Sequence, residues 1–307
     1  MSTLVSTIIP TYDRVEDVTL AVRSALAQTH CAQEVIVIDD GSTDGTSERL
    51  RAEHGDAIRI LRTERLGVSG ARNHGMAAAR GDYIAFLDSD DDWREDKLEK
   101  QVAYLEARPD FGMVLTDVMQ MDRSRREYDV IRRRRAIPED GDVLRHVLRQ
   151  PSLAPSSALL RRRVYEELGG FDSSLPTAED IDFHLRVALR FKIGVIDEPL
   201  TRAMRGHDGL SALVRTYSDY LYVMERYLLD HRHEIPAEDR RAALHEASLR
   251  NMRGLLAVGR VRAGLELGAR LAARARTSDE LIAPLKMMPL ALRATVRKVI
   301  PARQRTS

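Results

Sequence analysis

A single cysteine, Cys31, stands among 307 residues, so no internal disulfide framework can staple the chain, and a reducing compartment is the expected setting. Cys31 reads as a small packed residue near a helix end, not as a nucleophile. No run of about 18 apolar residues occurs, which argues against a membrane-spanning helix. The start Met1-Ser2-Thr3-Leu4 also lacks the charged and apolar regions of a secretion signal. A cytoplasmic protein is therefore expected, and peripheral contact at the inner face of the cell membrane through residues 281–307 is left open. No internal repeat is evident. No nucleic-acid recognition motif and no set of aromatic platforms accompanies the basic residues, so no nucleic-acid partner is expected.

Hydrophobic residues make up 43% of the chain and charged residues 31%, which is enough for one large domain and a small one. The formal net charge of +1 hides an asymmetry. Residues 211–307 carry 18 Lys and Arg against 10 Asp and Glu, net +8, whereas residues 1–210 carry 30 against 37, net −7. The two parts face different partners, or each other.

The first half alternates strand and helix patterns. Val5 to Ile9 is a continuous apolar run ended by Pro10, and Val15 to Gln28 has Val18, Val22, Ala25 and Leu26 at helical spacing. Further strands are predicted over 34–38, 58–61, 83–87 and 112–115, with helices over 43–53, 68–79 and 96–106 between them. Continuous apolar runs of this kind read as strands buried on both faces, and the βαβα rhythm predicts a mostly parallel sheet with right-handed crossovers. Polar residues dominate 120–135. A strand is then expected over 156–160, helices over 162–168 and 178–190, and a strand over 193–196 before Pro199. From Leu213 onward the pattern is wholly helical, interrupted at Pro236, Pro284, Pro289 and Pro301.

The most informative stretch is Phe86-Leu87-Asp88-Ser89-Asp90-Asp91-Asp92-Trp93, where a buried strand runs into four carboxylates within five residues. Carboxylates so gathered repel one another by about a kcal/mol or more per close pair, and a divalent cation is the usual remedy. One or two of these acids would also suit a helix N-cap, but four exceed that need. Ligands of a parallel sheet bind beyond the carboxyl ends of its strands. Pro10-Thr11-Tyr12-Asp13-Arg14, Asp39-Asp40-Gly41-Ser42, the segment from Gly67 to Arg72 and the acidic cluster all fall there. Together they supply what a nucleoside diphosphate requires. Tyr12 can stack a base, Asp40 can accept from a base or ribose, and Arg72 can meet a phosphate or a base carbonyl. The plainer readings are a turn for Asp40 and Gly41, a surface aromatic for Tyr12 and a helix ion pair for Arg72.

These segments, with Val5-Ser6-Thr7-Ile8-Ile9-Pro10-Thr11-Tyr12, Glu34 to Asp44, Gly67-Val68-Ser69-Gly70-Ala71-Arg72-Asn73 and Ala85 to Asp91 in order, resemble the family-2 glycosyltransferases of GT-A fold. The resemblance covers about the first 210 residues. It implies an α/β chain with an open, mostly parallel sheet flanked by helices. It also implies a catalytic domain over 1–210, with a nucleotide-sugar half over 1–115 and an acceptor half over 116–210, followed by a helical region over 211–307. The implied activity is inverting transfer from a nucleotide-sugar donor, most readily UDP-linked, to a hydroxyl on a glycan, a lipid-linked saccharide or a small molecule. Pro10, Thr11, Tyr12 and Asp40 map to base-binding positions and Arg72 to a nucleotide or phosphate contact. Of the Asp-Xaa-Asp residues Asp88, Ser89 and Asp90, the first lies nearer the ribose and the last maps to a direct ligand of Mn²⁺ or Mg²⁺. Asp13, where the family often has asparagine, is the one departure.

Downstream, Thr177-Ala178-Glu179-Asp180 opens a helix after Gly169-Gly170-Phe171-Asp172, and acids in a first turn are favoured by the helix dipole alone. The resemblance makes Asp180 the catalytic base, with Glu179 the near alternative and Asp182 facing elsewhere. Arg205-Gly206-His207-Asp208-Gly209-Leu210-Ser211 resembles an element whose histidine joins the metal or diphosphate, so His207 is a candidate third ligand, somewhat favouring Mn²⁺. His184, His231 and His233 read as structural, and Trp93 as core packing. The arginine-rich stretch from Arg123 to Arg135 is either a solvated loop or a grip for an anionic acceptor. From Leu281 to Ser307 there is no acid, and bases interleave with apolar residues, as in segments that lie on anionic membranes or pack on an acidic domain.

Three other classes fit the sequence less well. A dinucleotide-binding dehydrogenase needs glycines in its first turn, and Pro10-Thr11-Tyr12-Asp13-Arg14 has none. A nucleotidyltransferase wants a glycine-rich and basic loop at the same place. A non-catalytic nucleotide-sugar binding module would keep the base-binding residues and dispense with Asp180.

Overall fold

The computed structural model describes residues 3–30, 32–131, 141–149, 154–205, 215–257, 259–274 and 280. The chain divides into two compact units, Met1–His207 and Asp208–Ser307.

In the first unit β1 (Val5–Thr11), β2 (Gln33–Asp39), β3 (Arg59–Arg62) and β4 (Tyr83–Phe86) pair in parallel in the order β3-β2-β1-β4. The helices α1 (Val15–Leu26), α2 (Thr46–His54) and α3 (Gly67–Ala78) connect them. The run Val5 to Ile9 is interrupted by Ser6 and Thr7, yet all of β1 is buried, because successive side chains alternate between two covered faces. Val5 and Ile9 join the core formed with Val18, Val22 and Ala25 of α1, while Ile8 points the other way, against Gly75 of α3. Gly75 lets α3 sit directly on the sheet, because a Cβ there would overlap Ile8 Cγ2 and crowd Ile8 Cγ1. Gly75→Ala is therefore expected to cost about 1–3 kcal/mol. A thermal melt should register it as a drop of several degrees, and an unchanged melting temperature would show that α3 is not seated this closely.

Pro10 lies inside β1, opposite Ile38, instead of ending it. Residue 10 faces the same side as Ile8, toward β4, and β4 has already ended at Phe86. The missing N–H of proline therefore interrupts no ladder.

The second half of the sheet mixes directions. β8 (Leu159–Arg161) runs antiparallel to both β4 and β6 (Phe111–Met121), and β6 runs parallel to β9 (Lys192–Met204). The short β5 (Asp92–Trp93) and β7 (Glu127–Ile131) run antiparallel to β9 and β6. β1 to β4, β6 and β9 thus share one direction, so the sheet is mostly parallel. The helices α4 (Lys97–Glu106), α5 (Leu144–Arg149), α6 (Arg162–Leu168) and α7 (Glu179–Arg190) complete the unit.

Sequence periodicity understated these strands for identifiable reasons. β9 was expected to stop before Pro199, but its register with β6 skips from Ile196 to Thr201. Residues 197–200 therefore bulge out of the ladder and Pro199 is harmless there. β7 was not expected at all, because its polar residues are exposed on a hairpin. The hairpin is held by its turn, where Asp122 Oδ1 accepts from Ser124 N at 2.9 Å and Arg126 N at 3.1 Å. The strand expected from Ser156 is instead a single 3₁₀ turn, Pro155–Ser157, with the ladder starting at Leu159.

In the second unit α8 (Arg215–Asp230), α9 (Ala237–Ala257) and α10 (Val261–Arg274) pack in sequence, α9 against both neighbours. Tyr220, Val223, Met224 and Tyr227 form the buried stripe of α8. No helix of the described residues is long and apolar enough to cross a membrane. Cys31, His207, Arg132 to Arg135 and the basic segment 281–307 lie outside the described residues.

Candidate active site

Because β1 to β4 share a direction, the segments after Thr11, Asp39, Arg62 and Phe86 meet at one edge of the sheet. The segment after β1 leaves through Asp13, whose φ of 46° turns the chain back. Asp13 Oδ1 accepts from Thr43 N at 2.6 Å, and Asp13 N donates to Ser42 Oγ at 3.0 Å, which ties the first two strand ends together. Thr11 is buried. Tyr12 presents its ring to Arg65, whose guanidinium lies 3.8 Å above the centroid.

The two aspartates after β2 divide their work. Burial by itself would raise the Asp39 carboxyl, but the hydrogen bonds of Ser42 and Ser47 and the Arg62 charge outweigh it and bring it below the usual range. Asp40 accepts from Thr63 Oγ1 at 2.7 Å, Leu66 N at 2.7 Å and Gly67 N at 2.8 Å. Its carboxylate thus shapes the turn into α3, the plainer of its two sequence readings.

The four acids after β4 each have a different partner. Asp88 Oδ1 accepts from Arg72 Nη2 at 2.7 Å, and Asp90 Oδ2 from Arg14 Nη1 at 2.9 Å. Asp91 accepts from Ser156 Oγ at 2.6 Å and from Met204 N at 3.0 Å. Asp92 pairs with Arg125 at 2.9 Å and with Arg202. Helix α4 starts only at Lys97, and the N–H of Leu98 goes to Gln28 Oε1 at 3.0 Å, so the cluster is not spent on capping it. Burial, then the charges of Asp90 and Asp88, push Asp91 well above the usual carboxylate range. Ser89 between the ligand candidates is buried.

Arg72 joins the two halves of the unit. It is buried, and while Nη2 holds Asp88, Nη1 donates to Glu179 Oε1 at 2.8 Å. The loop that leads from α6 to α7 is held against α3 by Asn73. Asn73 Nδ2 donates to Phe171 O at 2.8 Å and Phe171 N donates to Asn73 Oδ1 at 2.8 Å. Beside Glu179, burial and then the Glu179 charge push the Asp180 carboxyl up to about 7 against the pull of Arg72. Asp182 turns away and binds Arg186 Nε at 2.9 Å. Trp93 is core, with Nε1 donating to Ser156 O at 2.7 Å.

Sequence reasoning singled out most of these residues but missed the partners that hold them. Arg14, Asn73 and Ser156 had no assigned role. The one available signal was a basic residue directly after strand one, opposite the acidic end of strand four. Among the described residues no three His, Cys, Asp or Glu side chains gather to hold a metal ion by themselves. Two carboxylates beyond one strand end nevertheless fit a hard cation of the Mg²⁺ or Mn²⁺ type, which is commonly held by one or two carboxylates plus substrate phosphates.

A sheet of this topology, with acids and an arginine bridge at the edge of its parallel half, is the GT-A architecture. TarS of S. aureus, residues 1–349, solved in complex with UDP-GlcNAc, superposes with a TM-score of 0.69 at 19% identity, covering 95% of this chain and 86% of that one. The mannosyltransferase PcManGT of Pyrobaculum calidifontis, solved with GDP-Man and Mn²⁺, superposes with a TM-score of 0.63 at 22% identity, covering 96% and 82%. Residues 6–169 match the sequence model of glycosyl transferase family 2, and the chain belongs to that family. An uncharacterized glycosyltransferase of Rickettsia conorii is 30% identical over 225 residues, 67% of this chain and 34% of the relative. The UDP-Glc:alpha-D-GlcNAc-diphosphoundecaprenol beta-1,3-glucosyltransferase WfgD of Escherichia coli is 39% identical over 103 residues, 33% of this chain and 41% of WfgD. The matched region thus spans about a third to two fifths of these two relatives.

Proposed function

We propose that the protein is an inverting glycosyltransferase that moves a sugar from a nucleotide donor, UDP-linked by preference, to an acceptor hydroxyl on a lipid-linked saccharide, a glycan or a small molecule. The observation that carries this is the buried Arg72 bridge, which sets the Asp88 carboxylate and the Glu179-Asp180 pair around one cation. Single displacement needs a donor-holding acid and a base close together, on opposite sides of the anomeric carbon.

In this reading the acceptor oxygen attacks the anomeric carbon, the bond from that carbon to the diphosphate oxygen breaks, and Asp180 takes the hydroxyl proton. A carboxyl pushed up to about 7 is well matched to receiving a proton near neutral pH. Arg72 leaves Asp88 or Glu179 in part to meet the diphosphate, and Tyr12 stacks the base. Asp88 and Asp90, with His207 as a further ligand, would hold Mn²⁺ or Mg²⁺, which when bound neutralises the charge growing on the leaving oxygen. The UDP-GlcNAc and GDP-Man of the two structural neighbours support a nucleotide-sugar donor. The diphosphoundecaprenol-linked acceptor of WfgD supports a lipid-linked saccharide.

A thermal-shift screen of UDP, GDP, TDP and CMP, each with Mn²⁺, Mg²⁺ or EDTA, tests the donor half. A ligand that binds only the folded state raises the melting temperature by mass action. The expected result is a shift of several degrees with UDP and Mn²⁺ that disappears in EDTA and in Asp90→Ala. No shift with any nucleotide removes the donor-site roles of Tyr12, Asp88 and Asp90.

A further inference from the structure

The acidic loop after β4 is fixed by the turn that leads into β8, the strand paired with β4. Ser156, from the turn Pro155–Ser157, is fully buried and not part of any motif named above. Its hydroxyl works in both directions. It accepts from Asp88 N at 3.1 Å and donates to Asp91 Oδ2 at 2.6 Å, so one side-chain oxygen spans the first and last turns of the loop that presents Asp88 and Asp90. Its carbonyl accepts from Trp93 Nε1 at 2.7 Å and from Thr201 Oγ1 at 3.2 Å. Asp91 in turn accepts from Met204 N at 3.0 Å, the end of β9. The turn rests on Gln101, whose Nε2 donates to Ser157 O at 2.9 Å and Val114 O at 3.0 Å.

We propose that Ser156 is a positioning residue that latches the Asp88–Asp91 loop to the acceptor half, so that the placement of the carboxylates that hold the cation is set by β8 and β9 as well as by β4. The proposal rests on the reading of Asp88 and Asp90 as cation-holding groups. Deleting the hydroxyl leaves the Asp88 N–H and one Asp91 oxygen without their buried partner, and the loop must shift or take in water to satisfy them. Losing an outer group that holds a metal's ligands in place typically changes metal affinity 10–100-fold, and Ser156 acts here through the Asp88 backbone and Asp91.

The chain carries its own reporter, because Trp93 is its one tryptophan and belongs to the latch. The full chain is compared as wild type, Ser156→Ala, Ser156→Thr and Ser157→Ala. Ser157 is equally buried in the same turn, with its hydroxyl bonded to Ala154 O at 2.8 Å. The readouts are Mn²⁺ binding in the presence of UDP, followed by the spin-resonance signal of the unbound ion, acrylamide quenching of Trp93, and the melting temperature.

Ser156→Ala is expected to weaken Mn²⁺ binding about tenfold and to increase Trp93 quenching. Ser156→Thr, which keeps the hydroxyl, is expected to recover most of both. Ser157→Ala is expected to lower the melting temperature with both other readouts as in wild type. The latch is overturned if Ser156→Ala leaves binding and quenching unchanged, or if Ser157→Ala moves them equally. A wild-type chain that takes up no Mn²⁺ sinks the cation reading separately, and the quenching comparison then decides the latch on its own.

Discussion

Asp180→Asn is expected to reduce sugar transfer by on the order of 10²–10⁴-fold in kcat, to leave nucleotide binding in place, and to raise the melting temperature at pH 8. The three results follow from one environment. Asp180 stands at the start of α7, where burial and Glu179 hold its carboxyl up to about 7. A carboxyl raised above its unfolded value keeps its proton in the folded chain after the unfolded chain has lost it. It therefore costs stability once the pH passes about 4, and the full cost is reached above about 7. Asparagine removes the charge without changing the shape, so the gain appears at pH 8 and vanishes at pH 4. A gain of about 1 kcal/mol corresponds to roughly 2–4 °C. The same titration predicts that kcat/KM of the wild type rises with pH through about 7, as the base loses its proton. Full turnover in Asp180→Asn would reassign the base to Glu179. A melting temperature lowered at pH 8 would mean that the residue is structural, like the capping acids common in first turns.

Arg72→Met is expected to destabilise the fold by about 3–5 kcal/mol near neutral pH, the cost of removing one partner from a buried charged network. Arg72 Nη1 and Nη2 hold Glu179 and Asp88 separately. Its loss leaves these two carboxylates facing each other and Asp180 with no compensating charge. Without the Arg72 charge, which pulls the Asp180 carboxyl down, Asp180 would hold its proton to still higher pH, so the deficit should be larger at pH 8 than at pH 5 in urea or thermal melts. Lysine is not an adequate replacement, because a single ammonium cannot present two separated nitrogens to two carboxylates in a fixed plane. Arg72→Lys should recover less than half of the stability lost in Arg72→Met. A melt that is insensitive to Arg72→Met would show that the bridge is not formed in solution, and with it the grouping of donor acids and base would fall.

The parallel half of the sheet was readable from residue order because its signal is local. Val35 to Ile38 is apolar and Val5 to Ile9 largely so, both are buried on both faces, and each is followed within several residues by a helix. β5, β7 and the second half of β9 carried no such signal. β7 is exposed and polar, β5 is two residues long, and β9 continues past a proline only because its register with β6 breaks there. Those strands exist through pairing with distant partners, which no local window contains.

The candidate site divides in the same way. Sequence by itself determined the family and which acids stand beyond the strand ends, because the residue types sit there at recognisable spacing. Tertiary structure alone decided what each acid is bonded to. Asp40 closes its own turn, Asp91 goes to Ser156, and the Arg72 that holds Asp88 also holds Glu179, 107 residues beyond the arginine. The physical reason is that spacing along a strand or helix dictates direction, whereas a buried carboxylate takes its protonation and its role from whatever the fold brings within hydrogen-bond reach.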